Sequence, residues 1–250
     1  MGGSPGRGVD VGPDVLAVVI PAYREEANIG DVVRSIPPLI RANGRDFRTM
    51  VIVVEDCSPD ATYDEALDAG ATVIRHFVNS GAGAATRTGF SYVRQNGVRL
   101  GISHVATIDA DGQHSSEDLA ILLEAVLSSG CDMVVGNRLH AGNRISMPRH
   151  RTLGNKGLTL ISRLLFGIRT EDTQSGLRIV TSSALPAVSR YSIDRYGFCT
   201  ELLWRARQAR LVVQEVPISV SYSRDTMAKG QSTWGVFDLV TDLITLRLIG

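Results

Sequence analysis

His104-Val105-Ala106-Thr107-Ile108-Asp109-Ala110-Asp111-Gly112-Gln113-His114 runs from a short apolar segment directly into two carboxylates. The span His104–Ile108 has the continuous apolar character of a strand buried on both faces. Runs of the same kind recur at Val15–Ile20, Met50–Val54, Thr72–Ile74 and Asp132–Val135. Between them lie stretches with helical spacing: Ile29–Ile40, which Pro37-Pro38 can cut short, Ala82–Gln95, and Ser116–Leu127 with Ser115-Ser116-Glu117-Asp118 as its start. Strands alternating with helices predict an α/β fold with a mostly parallel, Rossmann-like central sheet flanked by helices. Such sheets bind ligands outside the carboxyl ends of their strands. Acidic residues stand at three of those ends: Glu25-Glu26, Glu55-Asp56 and Asp109/Asp111.

After Val135 the pattern changes. Pro148–Phe166 reads as a long helix with Leu153, Leu158, Ile161 and Leu165 inward. Leu177–Val180 and Val212–Val216 read as strands with a helix near Thr200–Gln208 between them, and Val236–Leu246 is amphipathic. No repeat or linker is visible. The expected organisation is a disordered tail over 1–14, one catalytic domain over 15–230, and an amphipathic helix over 231–250 that faces a membrane if any part does.

Composition excludes several classes. Lys+Arg and Asp+Glu are both 26, so no basic excess points to nucleic acid. Cys57, Cys131 and Cys199 are odd in number and far apart, which suggests neither a disulfide framework nor a zinc site. The first residues contain no apolar signal segment, and no run of 18 apolar residues occurs, so the expected location is cytoplasmic, at most peripheral at the membrane face.

In an extended segment, residues two apart point the same way, so Asp109 and Asp111 converge. Two hard oxygen donors suit Mg²⁺ or Mn²⁺, ions that keep waters and take substrate phosphates as further ligands, and Gln113 or His114 can add a donor. Asp and Gly also make ordinary solvated turns; the position directly after a buried strand favours the metal. Asn79–Ala85 (NSGAGAA) is a small-residue turn into a helix, where Gly83 and Ala84 would let a nucleotide approach, or would simply form a helix cap. It is not a dinucleotide fingerprint, since Thr86 occupies the third glycine position. From Arg138 through Thr170 there is no Asp or Glu, yet the stretch carries Arg138, Arg144, Arg149, Arg151, Lys156, Arg163 and Arg169. That one-sign block predicts an anionic partner, either a phosphorylated acceptor or an acidic membrane surface.

The sequence resembles the family-2 inverting glycosyltransferases of GT-A fold, and within them the dolichyl- and polyprenyl-phosphate mannose synthase branch. The similarity rests on Pro21–Ile29 (PAYREEANI), Val53–Thr62 (VVEDCSPDAT), Asn79–Phe90 (NSGAGAATRTGF), Thr107–His114 (TIDADGQH), Gly136–Arg138 (GNR), Asp172–Arg178 (DTQSGLR) and Glu215–Ile218 (EVPI). The resemblance implies that Pro21, Ala22, Tyr23, Glu25, Glu55 and Asp56 border the nucleotide of a nucleotide-sugar donor, with Ala110 between the metal-binding Asp109 and Asp111, and Gln113 beside them. It implies that Arg138, Arg151 and Arg224 bind the acceptor phosphate, and that Asp172 or Glu201 lies at the reacting sugar. Two departures bear on the base and sugar: Glu55-Asp56-Cys57-Ser58 replaces the usual Asp-Asp-Gly-Ser, and Ala82 stands where lysine is common. The expected activity is metal-dependent transfer of a hexose from a GDP- or UDP-sugar to a polyprenyl phosphate. The alternatives are transfer to a hydroxyl of a glycan, natural product or protein, which would need a carboxylate base, and a non-catalytic nucleotide-binding protein. Nucleotidyl transfer is disfavoured because no Gly-rich, Lys-bearing loop follows the first strand. The oligomeric state is not legible.

Overall fold

In the computed structural model, residues 14–140, 149–195, 197–219 and 241–247 are described, the side chains of 149–152 excepted. The elements run β1 (Asp14–Ala22), α1 (Ile29–Ser35), β2 (Leu39–Ala42), β3 (Arg45–Glu55), α2 (Thr62–Asp68), β4 (Thr72–Arg75), α3 (Ala82–Leu100), β5 (Ile102–Thr107), α4 (Glu117–Ser129), β6 (Met133–Asn137), α5 (Arg149–Phe166), β7 (Arg178–Thr181), α6 (Leu185–Val188), α7 (Phe198–Gln208) and β8 (Val213–Pro217). They build one eight-stranded sheet ordered β2-β3-β1-β5-β7-β6-β8, with β4 also on β3. β4, β3, β1 and β5 are parallel, and β7 runs antiparallel between β5 and β6. β8 is parallel to β6 at the edge.

Strand β1 shows why its sequence is apolar throughout. Val15, Ala17 and Val19 face one buried layer and Leu16, Val18 and Ile20 the other. A strand covered on both faces needs apolar side chains at every position rather than at alternate ones. α3, α5 and α7 supply Phe90, Leu158 and Leu202 to the first layer; α1 and α4 supply Val33 and Leu122 to the second.

The helix expected over Ile29–Ile40 stops at Ser35. Ile36 turns extended (ψ 115°), as the residue before a proline is driven to do, and Ile40 lies in β2 as the antiparallel partner of Phe47. On α5, Leu158 is buried and Ile161 and Leu165 are partly buried, but Leu153 points outward at 74% exposure. Helix α2 carries no strong apolar period, since only Thr62 and Ala66 are buried, and was not foreseen. Residues 241–247 are helical, and Leu243 and Leu246 enter the core while Ile244 stays exposed. That segment therefore packs on the protein rather than presenting its whole apolar face outward. The tail expected over 1–14 ends one residue too late, since Asp14 opens β1 as the partner of Phe47; residues 1–13, Arg224 and the boundary near 230 lie outside the described residues. Among the described residues no helix is long and apolar enough to cross a membrane.

Candidate active site

The parallel strands end together, and their following loops assemble one site. β1 continues into Pro21-Ala22-Tyr23, where Ala22 accepts the Asp56 amide (2.9 Å) and Arg24 and Glu25 give their amides to Ser58 Oγ (3.0 Å) and Thr62 Oγ1 (2.8 Å). The first two acidic strand ends are thus stitched together. The Glu25 carbonyl accepts the Asn28 and Ile29 amides at the start of α1 (2.9 and 2.8 Å), and its carboxylate accepts Asn28 Nδ2 at 2.7 Å. Tyr23 is exposed, with the Arg24 guanidinium 5.3 Å above its ring.

Glu55 and Asp56 are buried and engaged with the protein. Glu55 takes the Ser58 amide and pairs with Arg75 Nε at 3.0 Å. Asp56 accepts His76 Nδ1 (2.7 Å), the Ser80 amide (2.9 Å) and the Gly81 amide (2.7 Å). It therefore clamps the small-residue turn. Gly81 has φ +96°, which a side chain rarely adopts, and a Cβ there would strike the Asp194 carbonyl at 2.5 Å. The Gly83 and Ala84 amides both donate to that same carbonyl, at 2.7 and 3.1 Å. The helix-cap alternative describes these two residues: their amides already serve a protein oxygen, and a nucleotide would reach them only after Asp194 moved.

Asp109 and Asp111 follow β5 as expected. Asp109 accepts His114 Nε2 at 3.2 Å and keeps 44% of its side chain exposed. Burial works to raise its pKa, but the bond from His114 and the charges of His114, Arg138 and Arg178 prevail and lower it. Asp111 has the opposite balance: burial first, then the Asp109 charge, push it up to about 6. Gln113 orients Asp111 with its amide (3.0 Å) and Nε2 (2.6 Å). Gln113 thus donates to Asp111 twice, from its backbone and from its side chain.

Do these residues fit a divalent cation? Two half-buried carboxylates repelling each other at a strand end are what a cation relieves. Among the described residues no cluster of three or more His, Cys, Asp or Glu has metal-binding geometry. The fit is to Mg²⁺ or Mn²⁺ completed by water and diphosphate oxygens, not to an all-protein cage.

Gly176 sets how closely this pair is packed. A Cβ there would sit 2.1–2.3 Å from the Asp109 carboxylate, while the Gly176 carbonyl is held by Thr107 Oγ1 at 2.7 Å. Next to it Asp172 is fully buried and bidentate on Arg138 (2.7 Å to Nε, 2.9 Å to Nη2), and it accepts the Arg138 amide at 3.0 Å. Burial works to raise its pKa, but the Arg138 charge and hydrogen bonds hold it below the ordinary carboxylate range. A carboxylate so saturated is a weak base, and its oxygens hold the Arg138 guanidinium in place. Glu201 is likewise engaged by protein donors. It is fully buried at the start of α7, and it accepts the Ser192 and Ile193 amides (2.9 Å each) and Arg205 Nη2 (2.9 Å). It braces the 192–194 loop, whose Asp194 carbonyl caps α3.

Arg151 lies in the first turn of α5, its side chain outside the described set, and Arg224 lies outside the described residues altogether. Two residues received no role from the sequence. Arg178, buried on β7, donates to the Cys199 and Thr173 carbonyls (3.2 and 2.9 Å), and its charge reaches Asp109. Glu215 on β8 accepts the Glu171 amide (2.8 Å) and the Asp172 amide (3.0 Å), fixing the segment that carries Asp172. Arg178 closes the DTQSGLR motif and Glu215 opens EVPI, so motif membership was the available signal.

A sheet of this order with an acidic pair after its central strand is the GT-A fold of nucleotide-sugar glycosyltransferases. The chain belongs to glycosyl transferase family 2, whose model matches residues 17–193. It is 32% identical over 253 residues to UDP-N-acetylglucosamine–dolichyl-phosphate N-acetylglucosaminyltransferase of Methanococcus voltae, covering 94% of this chain and 96% of that one. It is 33% identical over 213 residues to polyprenol monophosphomannose synthase of Mycolicibacterium smegmatis, covering 81% and 76%. Among solved structures, glucosyl-3-phosphoglycerate synthase from Mycobacterium tuberculosis, in complex with Mn²⁺, UDP and glucosyl-3-phosphoglycerate, superimposes with a TM-score of 0.69 at 20% identity over 99% of this chain and 86% of that one. That likeness bears on the fold.

Proposed function

We propose that this glycosyltransferase moves a hexose from a GDP- or UDP-sugar to a polyprenyl phosphate of the dolichyl or undecaprenyl type, with inversion, using Mg²⁺ or Mn²⁺ at Asp109 and Asp111. The observation that carries this reading is the saturation of Asp172 and Glu201. A hydroxyl acceptor needs a carboxylate base, and the two carboxylates that the family resemblance puts forward for that role, Asp172 and Glu201, are spent on protein donors. A phosphate monoester is largely ionised near neutral pH and needs positioning more than deprotonation. The acceptors named for the Methanococcus and Mycolicibacterium relatives support the same choice.

In this mechanism Arg138, aimed by Asp172, binds the acceptor phosphate. Asp109 is steadied by His114 and Asp111 by Gln113. A phosphate oxygen forms the new bond to the anomeric carbon as the nucleoside diphosphate leaves from the opposite face. The divalent cation, when bound, offsets the charge that develops on that diphosphate. A cleft lined by Leu139, Lys156, Thr159, Leu160, Arg163 and Glu171 opens beside Arg138 and offers both charge and apolar wall to a lipid phosphate. α5 exposes Leu153, Leu160 and Leu164 next to Lys156 and Arg163, a face suited to peripheral contact with an anionic membrane.

The test is a panel of nucleotide sugars with Mg²⁺ or Mn²⁺ and a short polyprenyl phosphate. Arg138→Gln should reduce transfer to the lipid phosphate more than it reduces donor hydrolysis. Equal loss of both would count against the assignment. Asp172→Asn does not separate lipid-phosphate from hydroxyl acceptors, because it releases Arg138 in either case.

A further inference from the structure

A second cleft, of about 350 Å³, opens where α5 and α7 end, beside the edge strand β8. Arg169, Arg207 and Arg210 line it together with Thr170 and Glu215, over an apolar floor that includes Leu203. Val213, also in its wall, pairs with Met133 at the first residue of β6. The cleft therefore lies toward the amino ends of the strands, whereas the loops of Asp109 and Asp111 follow the carboxyl ends. It shares no lining residue with the acceptor cleft.

Three features mark it as built for an anion. First, none of the three guanidinium groups forms an ion pair with a carboxylate among the described residues, although Glu215 stands in the same wall. Glu215 instead spends its oxygens on the Glu171 and Asp172 amides. Second, Thr170 is only 9% exposed and its hydroxyl has no hydrogen-bond partner. A buried hydroxyl left unpaired is unfavourable, so an acceptor atom brought within its reach by a ligand in the cleft would satisfy it. Third, Arg207 packs over Gly167, with Nη2 3.1 Å from where a Cβ would stand, and Arg210 holds a left-handed backbone (φ +58°) that few non-glycine residues adopt. Cations near the end of α7 also complement its dipole. Complementing the ends of α5 and α7 explains charge there, but not the unpaired hydroxyl.

We propose that this cleft binds a phosphate group, with the guanidinium forks of Arg169, Arg207 and Arg210 around the oxygens and the Thr170 hydroxyl donating to one of them. Guanidinium matches phosphate in geometry as well as charge. The volume and the apolar floor accommodate a small organic body attached to that phosphate. The group belongs either to a soluble phosphorylated compound or to a lipid headgroup.

The test uses the full chain. Inorganic phosphate is titrated by calorimetry against chloride at matched ionic strength, and sedimentation is measured with phosphatidylcholine vesicles with and without phosphatidic acid. The paired substitution Arg207→Gln/Arg210→Gln should weaken phosphate binding by at least about tenfold. Thr170→Val, which keeps shape and charge, should weaken it by a smaller factor, and circular dichroism melts check that both variants fold. Phosphate binding with no Arg207/Arg210-dependent gain on phosphatidic acid identifies a soluble ligand. An Arg207/Arg210-dependent vesicle gain with no response to free phosphate identifies a headgroup. The proposal is overturned if neither probe binds, or if the paired variant and Thr170→Val bind both probes as tightly as the parent.

Discussion

At the scale of single residues, the site depends on a few close approaches that side-chain identity alone does not announce. Gly176 is the sharpest. The atoms nearest a methyl group there all belong to the end of the Asp109 side chain, which can rotate away, so Gly176→Ala should fold with little loss of stability. The rotated carboxylate no longer converges with Asp111, and a misplacement of about an ångström costs on the order of a hundredfold in turnover. Steady-state kinetics beside a thermal melt check this; an active alanine variant would show that Asp109 need not stand where it does. Asp172 behaves in the opposite way. It is fully buried and bidentate on Arg138, so Asp172→Asn leaves an uncompensated guanidinium and should cost about 3–5 kcal/mol. The sign with pH follows from its lowered pKa. The pair's stabilisation is present above the unfolded carboxylate pKa of about 3.9 and is lost as pH falls through the lower folded-state value. Urea midpoints measured down the acid range should fall less steeply for the variant than for the parent. The sequence pointed to Asp109, Asp111, Arg138 and Asp172 through their motifs. It did not reveal that Asp172 serves Arg138, because that depends on how β6 and the segment before β7 lie against each other.

At the scale of elements, Glu201 links α7 to α3 through the 192–194 loop. It holds the Ser192 and Ile193 amides, and the next carbonyl, Asp194, caps α3 at Gly83 and Ala84. Glu201→Ala should therefore speed hydrogen exchange at the Gly83 and Ala84 amides, far from the substitution in sequence. It should lower stability by roughly 2–3 kcal/mol, the loss of hydrogen bonds to a buried charge. Unchanged exchange at those amides would dissociate the brace from the cap. α5 tests the membrane-facing reading. With Leu153, Leu160 and Leu164 outward beside Lys156 and Arg163, a triple Leu→Ser variant should lose affinity for anionic vesicles by at least about a hundredfold if the three side chains insert. The strands of the central sheet were legible because full burial demands unbroken apolar runs, as in Val15–Ile20. β2 and α2 were not: β2 is four residues long with only Ile40 and Ala42 inward, and α2 buries only Thr62 and Ala66. Elements so short leave no period to read. The outward turn of Leu153 was hidden for a related reason, since an amphipathic helix with leucines on two faces has no unique inward direction.

At the scale of the whole molecule, doubly wound topology brings distant sequence segments to one end of a single sheet. β1 pairs with β3 from Asp14 to Ala22 and with β5 from Val15 to Val19, so the loops after residues 22, 55 and 107 emerge side by side. That register gathers the acidic strand ends around Asp109 and Asp111, and on the proposed reading, in which donor and cation meet there, ligand binding and fold stability form one linked equilibrium. UDP alone should do little for a site in which two carboxylates face a diphosphate. UDP or GDP, whichever the donor carries, with Mn²⁺ at about a hundred times its dissociation constant should raise stability by about 2.7 kcal/mol, since it binds the assembled loops and not the unfolded chain. A chelator should abolish that gain and the turnover together, and Asp111→Asn should show neither even with Mn²⁺ present. Thermal melts with each combination give the answer. If UDP stabilises equally with chelator, or the Asp111 variant responds like the parent, the diphosphate is held by some other part of the chain, and the acidic pair after β5 loses its place at the centre of the reaction.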